Sequence, residues 1–291
     1  MNTQAIIREN TQRTYLYMFL LILILGTIGH GLSSFFEVGL TGTSTFIITS
    51  LLINVVAFFF SDKIILRTVG AKKLDKTVAP DFVELVANLA NNQNLPQPKL
   101  YYMDTDAMNA FATGRDQKHS AVVITRGLLE KMKQNEVEAV VAHELAHIKY
   151  LDVRLMTIVT VLAGLLTLLS DMFWYSNVAQ KASERDNSGS VQMIGMALAL
   201  FAPFTALLIQ NAISRKREYI ADAAASDMIG SSHPLIEALE KIRRDQIPLP
   251  GSQAATAHLF FSQPSKDGFI EKLFSTHPPL EERIEQLKKL A

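Results

Sequence analysis

Long apolar runs divide this chain more sharply than any turn signal. The first, YLYMFLLILILGTIGHGLSSFF, starts at Tyr15, and His30 is the one potentially charged side chain between Arg13 and Glu37. The second, STFIITSLLINVVAFFF, covers Ser44 to Phe60 and stops at Asp62-Lys63. The third runs from Leu155 to Tyr175, with Asp171 near its end, and the fourth from Ser190 to Ser214, with Pro203 as a kink point. A helix needs about 20 apolar residues to cross the hydrocarbon core. The first two runs predict spans, the first as an uncleaved anchor, being too long for a signal-peptide core. The third and fourth fit either spans or long helices that only partly enter lipid.

Between and after these runs the periodicity changes. APDFVELVANLANNQNL has helical spacing at Phe82, Leu85, Val86 and Leu89. KLYYMD predicts a strand, and NAFATG and SAVVIT predict two more around the charged turn RDQKH. GLLEKM predicts a short helix. Asn135, with Glu138 three residues on, reads as the N-cap of the next helix, which carries Val137, Val140 and Val141. PPLEERIEQLKKL closes the chain as an amphipathic helix with acid first and Lys last. The expected fold is α+β, mainly helical: an integral membrane protein with about four transmembrane helices. Residues 1–62 would form an N-terminal transmembrane hairpin. Residues 63–291 would form a cytoplasm-facing domain interrupted by a membrane hairpin at about 155–213.

Lys and Arg in short loops set orientation. The tail has Arg8 and Arg13, and the connection after the first span has neither residue type. Lys63, Arg67, Lys72, Lys73 and Lys76 follow the second span, and Arg215, Lys216 and Arg217 follow the fourth. Both termini and the segments 63–154 and 214–291 are therefore expected in the cytoplasm. Lys plus Arg number 28 and Asp plus Glu 28, so bulk charge predicts no nucleic-acid partner. The absence of cysteine excludes disulfides, thiolate metal sites and a cysteine nucleophile.

The candidate chemistry lies in HELAH, His143 to His147, just before the third run. Residues i and i+4 share a helix face, so His143 and His147 can grip one metal ion. Glu144 lies about 100° round the helix and can reach a water beside that metal. The spacing by itself also fits a pair of ordinary helical histidines. A catalytic zinc needs a third protein ligand, and HIKYLDVR lacks the metzincin extension. In SRKREYIADAAASD, Glu218 and Asp222 are spaced i, i+4. A membrane hairpin between the third and fourth runs would bring Glu218 to His143 and His147. Asp222 could then accept the outward N–H of a metal-bound histidine.

HELAH, a membrane hairpin, SRKREYIADAAA and STHPPLEERI together resemble the HtpX family of bacterial membrane metalloproteases, relatives of the CAAX prenyl proteases. NAFATG and VVITRGLL resemble family segments too, so the likeness extends over essentially the whole chain. It implies that residues 63–291 form a zincin-like zinc peptidase domain, with one zinc ion on His143, His147 and Glu218 and Glu144 as general base. It also implies stress-linked quality control of membrane proteins, with self-cleavage, the partners being the bilayer and unfolded polypeptide or membrane-protein substrates. His277, in STHPP, fits either an oxyanion-stabilising group or a helix-capping segment. Asn109 and the strand beginning Ala121, Val122, Val123 fit either β-addition of a substrate or plain core packing. The rivals are a non-catalytic membrane scaffold, which has no need of Glu144, a prenyl-protein processing protease, and a transporter, whose site belongs at mid-bilayer.

Overall fold

The computed structural model describes residues 3–35, 37–75, 77, 79–162, 164, 215–245, 247, 260–261 and 278–290. Two long helices open the chain, α1 (Thr3–Phe35) and α2 (Leu40–Thr68), paired as a hairpin. Both are long and apolar enough to cross a membrane. Leu16, Phe19, Leu23, Leu52 and Phe59 point outward from them, an apolar surface that water penalises and lipid solvates. The helices pack closely: a Cβ on Gly29 would lie 2.2 Å from the Phe46 Cβ. At 1.5 Å per residue α1 is about 50 Å long, against about 30 Å of hydrocarbon. Its polar first turns therefore have length to project beyond the bilayer.

α2 does not stop where the apolar run stops. It continues past Asp62 to Thr68 and buries Ile65 and Leu66 against Met103, Phe111 and Val123. A domain division at residue 62 thus falls inside a continuous helix. The short strand β1 (Lys72–Lys73) and α3 (Pro80–Asn92) follow, with Phe82, Val86 and Leu89 buried as their spacing predicts. The sheet is completed by β2 (Lys99–Met103), β3 (Ala110–Asp116) and β4 (His119–Thr125), in the order β1-β2-β4-β3. β4 runs parallel to β2 and antiparallel to β3. It is an interior strand, so the β-addition considered at Ala121, Val122 and Val123 has no open edge there. Their backbone groups belong to ladders on both sides, and β3 is the edge strand on that side of the sheet.

After α4 (Arg126–Lys131), α5 (Gln134–Lys149) crosses the domain. Its cap lies earlier than Asn135 and Glu138 suggest: the Lys133 N–H donates to Glu136 Oε2 at 2.6 Å. Glu136 and nearly every residue from Val137 to Ile148 are buried, because α5 is the central helix, between β3 and the later helices. A second helix, α6, covers 152–162 and packs Ile158 and Leu162 against Leu21 and Leu25 of α1. The rest of the predicted third span, beyond residue 164, and the whole fourth span lie outside the described residues.

α7 (Arg215–Ile229), α8 (His233–Arg244) and α9 (Leu280–Lys288) complete the described fold. Ala221 and Ala224 of α7 meet Ala146 of α5. Methyl side chains at that contact let the two backbones approach, which is how Glu218 reaches the histidines. The described architecture is mostly helical around one small mixed sheet, with two membrane-length helices.

Candidate active site

α5 presents His143 and His147 one turn apart, with their Nε2 atoms 3.1 Å from each other. Glu218 enters from α7, its Oε2 at 3.6 Å from His143 Nε2 and its Oε1 at 3.6 Å from His147 Nε2. All three side chains are buried. Glu218 thus meets the two histidines expected for it, while the hairpin from which that was argued lies mostly outside the described residues.

The opposite ring nitrogens are also held. His143 Nδ1 lies 2.9 Å from Asp222 Oδ1, and His147 Nδ1 lies 3.2 Å from Asp152 Oδ2. A carboxylate only accepts, so each Nδ1 carries a proton, and each Nε2 faces Glu218 with a lone pair whenever its imidazole is neutral. Two imidazole lone pairs and a carboxylate repel one another unless a cation or a shared proton lies among them. This donor set, with ligand atoms all within 4.8 Å of one another, fits a divalent metal ion of the imidazole- and carboxylate-binding kind. Without metal, burial pulls the His147 pKa down, but the Asp152 hydrogen bond and the carboxylates of Glu218, Asp152 and Glu144 outweigh it and push it up to about 9.

Glu144 faces the same space and is buried. Burial raises its pKa and the Glu218 carboxylate adds to this, while the two imidazoles and a backbone hydrogen bond from Ala112 pull the other way; the net shift is upward. That is the direction a general base needs. Ala112, Val153, Met156, Phe260 and Phe261 join these polar groups around a cavity of about 10 Å³, room for about one water. Phe261 donates its N–H to the Ala110 carbonyl of edge strand β3 at 2.9 Å, and its ring meets His143 at 4.9 Å between centroids.

Beyond the ligands, Arg283 of α9 is wholly buried and bidentate on Asp222, Nη2 to Oδ1 at 2.6 Å and Nε to Oδ2 at 2.9 Å. Burial would push the Asp222 pKa up, but the charge of Arg283 and the hydrogen bonds from His143 and Arg283 win, holding it below the ordinary value. Arg283 Nη1 also donates to the Phe261 carbonyl at 3.2 Å.

The sequence-based site residues fare unevenly. His143, Glu144, His147, Glu218 and Asp222 come together. Asn109 is buried at the start of β3, tied to Thr125: its N–H donates to Thr125 Oγ1 at 2.9 Å and its carbonyl accepts from the Thr125 N–H at 3.0 Å. Its backbone is bonded to β4 on the inner side, and it leads directly into the edge strand β3. His277 lies outside the described residues. Asp152 and Arg283 were missed by sequence reasoning. Asp152 stands five residues after His147, and that offset was its only signal; Arg283 read as one more charge on an amphipathic helix.

Two histidines one turn apart, a glutamate from a second helix and a buried carboxylate beside them define a metallopeptidase of the two-histidine, one-glutamate kind. The comparisons narrow the class. Residues 77–291 match Peptidase family M48, and the chain belongs to that family and is a metalloprotease. A protease HtpX homolog of Caldanaerobacter subterraneus subsp. tengcongensis is 41% identical, covering 97% of this chain and 96% of its own. One from Tropheryma whipplei is 38% identical, covering 98% of each. The crystal structure of S. mikatae Ste24p matches with a TM-score of 0.54 over 97% of this chain and 66% of that one, at 16% identity, a likeness of fold.

Proposed function

We propose that the chain is a multi-pass membrane endopeptidase that uses one zinc ion and cleaves misfolded or damaged membrane proteins at the cytoplasmic face. We include self-cleavage and a place in stress-linked quality control, as the family resemblance implies. The observation that carries this reading is the convergence of two oriented imidazoles and Glu218 beside the buried Glu144. His143, His147 and Glu218 would hold the ion, with Asp222 and Asp152 keeping the imidazole tautomers. When bound, zinc supplies the Lewis acidity that makes water a nucleophile near neutral pH. Glu144 accepts the proton of that water and returns it to the leaving amine. Its raised proton affinity lets it hold the proton between the two transfers. An extended substrate would align along the edge strand β3, whose Ala112 lines the cavity, and His277 would be suited to the oxyanion.

The loop charges support the cytoplasmic orientation. The site then lies where water is available and polypeptide leaving the bilayer can enter. A topology reporter fused after residue 188 should read as external, and a cytoplasmic signal would reject the hairpin. The central experiment compares wild type with Glu144→Gln in detergent, measuring zinc content and cleavage of an unfolded protein. The variant should keep its zinc and lose turnover by about 10²–10⁴-fold. Zinc-loaded but inactive wild type would favour the scaffold, and absence of zinc from both would reject the site.

A further inference from the structure

We infer that the N-terminal membrane helix is part of the catalytic apparatus: Asn10 of α1 is a positioning residue for the metal ligand His147, acting through Asp152. The inference rests on the metal-site reading above and concerns residues that the peptidase motifs do not reach.

Asn10 lies upstream of the first apolar run, in the polar turns that α1 projects beyond the membrane, and is 2% exposed. Its side-chain amide donates two hydrogen bonds, to the Tyr150 carbonyl at 2.9 Å and to Asp152 Oδ1 at 2.7 Å. Both partners only accept, so the amide can face them only through its nitrogen. Asp152 uses its other oxygen, Oδ2, on His147 Nδ1. Arg217 Nε stands 3.5 Å from Asp152 Oδ1, on the same side as Asn10.

The two bonds from Asn10 bracket a turn that carries strain. Between α5 and α6, Leu151 adopts φ 60°, a left-handed conformation that a residue with a Cβ adopts reluctantly. Across that turn Asp152, at the start of α6, bonds back to His147. Strained residues persist where neighbours over-determine them, and the amide of Asn10 fixes the residues on either side of Leu151. Further along, α1 and α6 stay in contact through Leu21, Leu25, Ile158 and Leu162, and through Tyr17 with Leu155 and Val159. The anchor, the strained turn and the carboxylate behind His147 form one continuous structure. A purely anchoring helix has no need of a buried amide aimed at that carboxylate.

The test uses full-length protein in detergent and measures zinc affinity by chelator competition, with thermal unfolding in parallel. Partners of metal-bound histidines are worth 10–100-fold in metal affinity. Asn10 acts one step further out, so Asn10→Leu should weaken zinc binding about tenfold, at the lower end of that range. At saturating zinc its kcat should fall with KM unchanged. Leu21→Ala serves as a control, disturbing α1–α6 packing without touching Asp152, and should lower the unfolding temperature while holding zinc within about twofold of wild type. Zinc affinity of Asn10→Leu within about twofold of wild type would overturn the inference. So would an equal loss of affinity in Leu21→Ala, because the effect would then be general loosening. His147→Ala is measured beside them. If it binds zinc as tightly as wild type, the metal-site reading fails and takes the inference with it, an outcome separate from a failure confined to Asn10.

Discussion

Replacing Arg283 with Met should be among the most damaging single changes in the domain, although Arg283 is no metal ligand and lies in a helix that the sequence presents as surface. The guanidinium is fully buried, makes two hydrogen bonds to Asp222 and one to the Phe261 carbonyl, stands 3.6 Å from Glu218 Oε2 and lies over the Phe261 ring at 4.6 Å. Met fills much of the same volume, so the loss is chiefly electrostatic. It leaves the Asp222 carboxylate buried without its guanidinium and takes one cation from beside Glu218. Breaking a buried pair from one side costs about 3–5 kcal/mol. At about 2–4 °C per kcal/mol for a domain of this size, the unfolding temperature should fall by roughly 10 °C. The assay is thermal unfolding in detergent with chelator present, so that metal binding does not mask the loss. Asp222→Asn in the same background removes the stranded charge while keeping an acceptor for His143 Nδ1. The double variant should therefore be more stable than the sum of the two single losses. A drop under about 2 °C for Arg283→Met, or strict additivity in the double variant, would refute this electrostatic account.

Three further outcomes follow from the same structure. The metal-free His147 holds its proton up to about pH 9, so metal must displace that proton at neutral pH, and affinity should fall about tenfold per unit as pH drops below that value; equal zinc affinity at pH 9 and pH 7 would contradict it. Gly127→Ala places a Cβ 2.0 Å from the Asp106 carbonyl oxygen, and the forced backbone shift should cost about 1–3 kcal/mol, read as a lowered unfolding temperature. Glu136 is fully buried and paired with the part-exposed Lys241, so Lys241→Met should cost about 2 kcal/mol and Lys241→Arg much less in the same measurement.

The catalytic helix was legible because its chemistry is local. Helical pitch alone puts His143 over His147, and no tertiary contact is needed to know it. Glu218 was legible for a different reason: it shares a short polar segment with Asp222 at helical spacing, and a third ligand was missing from the segment after His147. The strands were legible as strands but not by their place. Alternation along β4 is the same for an edge and an interior strand, and only pairing reveals that β2 and β3 take both its sides. The N-cap slipped because Asn135 has the right side chain, whereas Glu136 reaches the Lys133 N–H through geometry that side-chain identity does not encode.

By itself the sequence determined the membrane-length helices, the helix–strand–helix order of the domain and the pair of histidines with its glutamate. These depend on periodicity and composition, which act between near neighbours. The tertiary structure alone decided what stands behind the ligands. Asp152, Arg283 and Asn10 matter through a few hydrogen bonds, to groups up to 142 residues away. Such bonds leave no periodic trace, because a polar residue reads the same in sequence whether water or a buried carboxylate receives it.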